Sequence, residues 1–327
     1  MPEGHSVHRI ARQFERHFVG ETVAASSPQG RFAEGAALID GRTMTQSRAV
    51  GKQLFLEFDE ALYLRVHLGI YGAWDFGGAV SRDATTRASR GRMGQTGMRG
   101  AADDTVVGEH EDSLASIGAP RRTRLRMAEQ ETETETLEGF PPEPVGQVRA
   151  RLLTETAVAD LRGPTACEVI DAAQVQQVIN QLGPDPLVDD PDEGEERMVE
   201  RVRKRRTPIG LLLMDQSVVS GIGNVYRAEI LFRARLDPHI PGSQLSDETV
   251  RDLWRDWRYL LGVGVDTGQM LTMDDLDEEA RARALRSRAD RHWVYKREGL
   301  PCRVCGTHIV LEMAAARKLY YCPTCQR

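Results

Sequence analysis

The sequence predicts a multidomain α+β protein: an N-terminal helix feeding antiparallel strands, a helical middle, and a small C-terminal cysteine module. Three observations predict this. Residues 5–18 space their apolar side chains at helical period, and short runs at 54–58 and 62–68 alternate at strand period. Helical spacing then returns over 198–262, ahead of four cysteines crowded into the last 30 positions. Of 327 residues, 40% are hydrophobic and 28% charged, which supports packed cores and excludes collagen-like and wholly disordered chains. No run of eighteen apolar residues exists, and the charged N-terminus lacks the apolar core of a secretory signal. A cytoplasmic protein is expected, nucleoid-associated if bacterial.

In chain order, Val7, Ile10, Ala11, Phe14 and Phe18 form one helical face, with Arg9, Arg12, Glu15 and Arg16 between them. Pro2 suits the first turn of this helix. LFLEF (54–58) and LYLRVHL (62–68) read as antiparallel strands, and further strand-like runs lie at 122–128, 148–153 and 157–162. From about 77 to 118 the chain is rich in Gly, Arg, Thr and Ser and poor in large apolar residues, so a mobile insertion is expected there. Residues 129–139 read as an acidic solvated loop. The Pro/Asp/Glu-rich stretch 184–196 is expected to be a linker between residues 1–183 and a helical domain at 197–292, with a separate module at 293–327. Segment 274–291 is charged and reads as an exposed helix.

The net charge of −6 does not exclude a nucleic-acid partner, because the charge is segregated. Residues 129–143 hold six Glu and no Lys or Arg, whereas 201–206 reads RVRKRR and 296–327 holds six Lys/Arg against two Glu. The basic run is a candidate phosphate contact or simply a solvated face.

Cys302-x2-Cys305 and Cys322-x2-Cys325, sixteen residues apart, can place four thiolates around one Zn²⁺. A module this short has too little core to fold alone, and zinc binding, worth roughly 10–16 kcal/mol in small zinc modules, supplies the difference. Cys167 stands apart and reads as a core thiol. Gly221-Ile222-Gly223-Asn224 joins two apolar helical runs; Asn224 is a candidate N-cap, and free amides at such a junction can bind phosphate. At the other end, the small residue after Met1 favours its removal, which leaves Pro2 with a secondary amine. Near a positive helix end the protonated form of that amine, ordinarily near pKa ~8, is disfavoured, giving a nucleophile able to form an iminium with a sugar C1′. Glu3 is placed to move protons beside it.

Taken together, MPEGH (1–5), GK (51–52), GIGN (221–224) and PCRVCG…RKLYYCPTCQ (301–326) resemble the formamidopyrimidine-DNA glycosylase/endonuclease VIII family, in order along nearly the whole chain. The resemblance implies an antiparallel β-sandwich with its N-terminal helix, a helix-two-turns-helix domain and a zinc ribbon. It further implies a monomeric DNA glycosylase and AP lyase acting on double-stranded DNA with damaged bases or abasic sites, with one structural zinc. Pro2 corresponds to the Schiff-base nucleophile, Glu3 to the general acid/base, and Lys52 to the lysine of β-elimination. Gly223 and Asn224 match the phosphate-gripping turn, and Arg317 matches the ribbon arginine that holds phosphate and supports δ-elimination.

Ile70 and Tyr71, in HLGIYG, sit where the family carries its intercalating loop and are closer to the endonuclease VIII wedge; packing in the sheet core is the competing reading. Gly69 and Gln181 depart from a glutamine and an arginine found in relatives. The stretch 262–292 lacks a recognisable oxidised-purine loop, so oxidised pyrimidines are the expected lesions. A preference for oxidised purines, and a damage-binding zinc-ribbon protein that does not cut, are the alternatives.

Overall fold

The structure is a computed structural model, and it describes residues 2–80, 116–118, 140–274 and 276–327. The chain divides into two units, Met1–Ile179 and Asn180–Arg327.

In the first unit, helix α1 (Gly4–His17) follows Glu3 at its N-cap, so Pro2 lies just before the helix instead of in its first turn. The strands are β1 (Thr22–Ser26), β2 (Arg42–Val50), β3 (Gln53–Phe58), β4 (Leu62–His67), β5 (Ala73–Gly78), β6 (Ser116–Gly118), β7 (Val148–Leu153), β8 (Ala157–Arg162) and β9 (Ala166–Asp171). Their hydrogen-bonded order is β6-β5-β8-β7-β1-β2-β3-β4-β9, and every strand pair is antiparallel. Only Thr22↔Thr43 and Val23↔Arg42 join β1 to β2, so this short seam separates two leaves. Leu54, Leu56, Leu64 and Val66 from one leaf share a core with Trp74, Leu152, Ala159 and Leu161 from the other. This is the sandwich expected from the resemblance.

Helix α1 touches β2 and β3 of one leaf and β6 of the other. Its apolar face buries Val7, Ile10 and Phe14, with the Phe14 ring 4.8 Å from Trp74 and 5.2 Å from Phe76. Strands meet the helix from both leaves, and part of its polar side is buried between them: Arg9 is only 5% exposed and Ser6 and Gln13 are buried, while Arg12, Glu15 and Arg16 stay exposed. Among the described residues of the unit there are two further short helices, α2 (Ala33–Ile39) and α3 (Ala172–Asn180), the latter ending at the boundary.

The ends of the stretch expected as an insertion belong to the sheet: Gly77 and Gly78 close β5, and Ser116–Gly118 pair with Ala73–Asp75. The remainder of that stretch from 81 to 115, the run 122–128 and the acidic loop 129–139 lie outside the described residues.

The second unit holds α4 (Pro191–Arg203), α5 (Ile209–Leu212), α6 (Asn224–Arg233), α7 (Asp247–Thr267), α8 (Glu278–Arg286), and the hairpin β10 (Val310–Ala314)–β11 (Arg317–Tyr321). The stretch 184–196 is therefore half helix. Asp190 accepts from the amides of Asp192 and Glu193, and Pro191 needs no donor partner, so an acidic run that looked like a linker is an N-terminal helix signal. Helix α7 opens on Ser246, which accepts from the Thr249 amide, and closes on Gly268 at φ 71°. It buries Val250, Leu253, Trp254, Trp257, Leu260 and Leu261. Gly194 lets α4 approach α7, since a Cβ there would lie 2.6 Å from the Trp254 ring.

The cysteine module shares its core with the helices. Val294, Ile309 and Tyr320 pack with Ala228 and Phe232 of α6. The amides of Trp293, Val294 and Tyr295 all donate to the buried Glu229 carboxylate.

Candidate active site and nucleic-acid interface

In the first unit, Glu3 is 1% exposed and holds the N-cap position, yet its carboxylate makes no capping hydrogen bond to α1. Pro2 is buried beside it, near the positive end of the helix dipole. His5 and Ser6, also buried, lie within the first turn, with Ser6 Oγ 3.3 Å from His5 Nε2.

Lys52 occupies the two-residue turn between β2 and β3, one residue before β3 begins, because Val50 pairs with Gln53. Gly51 supplies φ 58° at the first turn position, a conformation that suits glycine in tight hairpins. Lys52 is half-buried. Burial lowers the pKa of His67, and the charges of Lys52 and Arg65 lower it further, so this imidazole is neutral at physiological pH.

Ile70 and Tyr71 follow β4 on a tight loop closed by the Gly72 amide donating to the Leu68 carbonyl at 2.9 Å. They are 56% and 53% exposed, which rules out packing in the sheet core. Leu68 and Ala73, either side of them, are buried anchors. Burial pushes the Cys167 thiol up to about 12, leaving it inert.

In the second unit, the four cysteine Sγ atoms all lie within 4.8 Å of one another, with Cys302–Cys325 at 3.9 Å and Cys305–Cys322 at 3.4 Å. Tetrahedral zinc–thiolate geometry places sulfurs about 3.8 Å apart, so the residues fit the ion. The strand pair ends in a two-residue turn, Ala315–Ala316, and Arg317 stands exposed as the first residue of β11, opposite Ala314.

Asn224 is not the N-cap of α6. Gly223 takes that position at φ −120°, and Asn224 is the first helical residue. Its side-chain oxygen instead accepts from Arg227 Nη2, one turn on. Gln216 secures the preceding loop, accepting from the Gly221 amide at 3.0 Å and donating to the Ile222 carbonyl at 3.0 Å.

The basic run 201–206 is largely not a phosphate patch. Arg201 donates to the carbonyls of Leu182 and Ser217, Arg203 to those of Ser243 and Leu245, Lys204 pairs with Glu200, and Arg205 pairs with Asp215. These cations close loops around α4, and charge counting cannot show that. Arg227 and Glu229, buried inside an apolar helical run, were not singled out from the sequence either; two charges within an otherwise apolar helix were the available signal.

Comparison with known proteins accords with this layout. The formamidopyrimidine-DNA glycosylase N-terminal domain matches residues 1–112, the formamidopyrimidine-DNA glycosylase H2TH domain 182–275, and the zinc finger found in Fpg and isoleucyl-tRNA synthetase 299–327. Endonuclease 8 1 of Mycobacterium tuberculosis is 36% identical over 326 residues, covering 100% of both chains. A formamidopyrimidine-DNA glycosylase of Thermus thermophilus is 32% identical over 194 residues, 58% of this chain and 71% of that one. The crystal structure of the Thermus thermophilus MutM (Fpg) protein shares the fold, with a TM-score of 0.63 and 23% identity over 99% of this chain and 98% of that one. A Lactococcus lactis Fpg structure in complex with abasic-site DNA has a TM-score of 0.65 at 18% identity, covering 99% of each chain. These likenesses define a zinc-ribbon DNA glycosylase of base excision repair with AP lyase activity. The chain belongs to the formamidopyrimidine-DNA glycosylase/endonuclease VIII family, and its four-cysteine cluster is a structural zinc site.

Proposed function

We propose that this glycosylase releases oxidised pyrimidines from duplex DNA through a Schiff base on Pro2 and then cuts the abasic strand by β,δ-elimination. The observation that carries the reading is Glu3, a carboxylate 1% exposed directly after Pro2 at a helix N-terminus that it does not cap. The Pro2 nitrogen attacks C1′, the glycosidic bond breaks, and its electron pair leaves with the base. Glu3 moves the proton that opens the sugar ring, leaving an iminium at C1′. That iminium is an electron sink, so loss of a C2′ proton expels the 3′ phosphate, with Lys52 serving this step. A second elimination breaks the 5′ C–O bond, and water then releases Pro2. Asn224 and Arg317 hold the phosphates, Arg317 with a planar guanidinium that stays charged throughout. Zinc takes no part in these steps; it holds the ribbon that carries Arg317. The enzyme works as a cytoplasmic monomer.

Ile70 and Tyr71, exposed on an anchored loop, fill the space left by the extruded nucleotide. Damaged pyrimidines stack poorly, so extruding them costs less than the few kcal/mol a sound base demands. A panel of lesion duplexes under single-turnover conditions tests the substrate class. Thymine glycol and dihydrouracil are expected to be released faster than 8-oxoguanine opposite cytosine, and the reverse order would overturn it.

A further inference from the structure

Arg227 is 0% exposed, a fixed positive charge inside the second unit. Burying a guanidinium is costly unless its donors are satisfied, so the identity of its partners matters. Nη1 donates to the Gly210 carbonyl at 3.3 Å. Nη2 donates both to Asn224 Oδ1 and to the Lys318 carbonyl, the latter at 2.8 Å. One nitrogen thus bridges the first residue of α6 and the second residue of β11, next to Arg317. In the two-stranded β10–β11 sheet, β11 has no second strand neighbour among the described residues, and its Lys318 carbonyl is taken by this side chain instead.

We propose that Arg227 is the positioning residue that sets both phosphate grips, Asn224 and Arg317, in DNA-binding orientation. Arginine has five N–H donors and no acceptor. Whatever faces Arg227 from Asn224 must therefore be the amide oxygen, and the amide nitrogen is turned the other way. Only that orientation offers N–H donors to a phosphate oxygen. The same guanidinium fixes the backbone of Lys318 and with it the direction in which the neighbouring Arg317 leaves the strand. An aspartate at 224 would satisfy Arg227 equally well but would bring no donor to the DNA, which explains an amide at this position. The inference rests on the reading that Asn224 and Arg317 contact phosphate.

The test is a double-mutant cycle on binding of abasic-analogue duplex DNA over a range of salt, using zinc-loaded full-length protein. Asn224→Ala and Arg317→Ala are expected to weaken binding about tenfold each, and each to lower the salt slope by roughly one phosphate's share. Arg227→Met is expected to weaken binding by at least as much as Asn224→Ala. Adding Asn224→Ala to Arg227→Met should then cost less than about threefold more, because the amide is already unset. Arg227→Lys keeps the charge but cannot reach three oxygens, and it should show the same loss of coupling with a smaller loss of fold stability. If Asn224→Ala weakens binding while either Arg227 variant binds as the parent does, the positioning role is wrong and the phosphate reading stands. The positioning role is equally overturned if the Asn224→Ala loss persists in full on the Arg227→Lys background. If Asn224→Ala and Arg317→Ala both leave affinity and salt slope unchanged, both readings fall.

Discussion

Glu229→Gln removes one charge and one acceptor site from a fully buried position. The Glu229 carboxylate accepts from the amides of Trp293, Val294 and Tyr295 at 2.7, 2.9 and 2.8 Å, and from the Thr272 hydroxyl. Burial pushes its pKa up, while these four donors pull the other way. A glutamine oxygen can keep the Val294 and Tyr295 amides, which share one carboxylate oxygen. The amide nitrogen then faces the Trp293 N–H, donor against donor. The Thr272 hydroxyl can turn to accept, aiming its one O–H at the Arg291 carbonyl 2.9 Å away. One orphaned buried amide costs about 1–3 kcal/mol, and two charge-assisted bonds that become neutral lose about 1 kcal/mol each. Relief of the buried charge offsets part of this, leaving a net loss of about 2–4 kcal/mol. For a unit of this size that lowers the melting temperature by about 5–10 °C. Differential scanning calorimetry of the zinc-loaded protein reads it, and a shift below 1 °C would refute the claim that this carboxylate ties the ribbon segment to α6.

Three further outcomes are expected. Ala315 and Ala316 hold φ 48° and 62°, which strains non-glycine residues; Ala316→Gly should stabilise the hairpin by about 0.5–1 kcal/mol, and a lower melting temperature would contradict that. His239 lies between the Asp237 and Glu312 carboxylates, each 2.6 Å from a ring nitrogen, and packs edge-on against Tyr321. Partial burial works against its charged form, but the bonds to Glu312 and Asp237 outweigh it and raise the pKa. Its contribution, no more than ~1 kcal/mol at so exposed a pair, is complete below its unfolded pKa and lost as pH rises through the higher folded value; His239→Gln should flatten the stability profile across that window and leave it unchanged elsewhere. Elemental analysis should find one zinc per chain, and Cys322→Ser should lose both the metal and the ordered ribbon; a zinc-free protein with an intact ribbon would contradict the site.

What could be read from the residues divides along physical lines. Strands β3, β4, β7 and β8 were legible because their apolar runs are bounded by turn residues. Strand β2 was not, because its run RTMTQSRAV is polar and lacks a continuous apolar face, and the short β1 was not, because it pairs with β7 far along the chain. The zinc site needed only spacing. The wedge positions and Arg317 were reached through motif order, and their exposure is a tertiary fact. The burial of Arg9 and the carbonyl partners of the run 201–206 were beyond reach for one reason: sequence shows charge, whereas burial and partners depend on what packs alongside. Asn224 followed the preferences of helix starts, but a buried arginine one turn later competed for its side chain and won.

Formation of the covalent intermediate by the Pro2 amine is the step on which the proposed reaction depends. Borohydride reduction of the enzyme with abasic-site DNA, followed by peptide mapping of the adduct, tests it most directly. One DNA–protein crosslink per chain is expected, located on Pro2 and abolished by a residue added ahead of Pro2 while duplex binding persists. A crosslink on Lys52 or another lysine, or undiminished trapping in the extended protein, would contradict it.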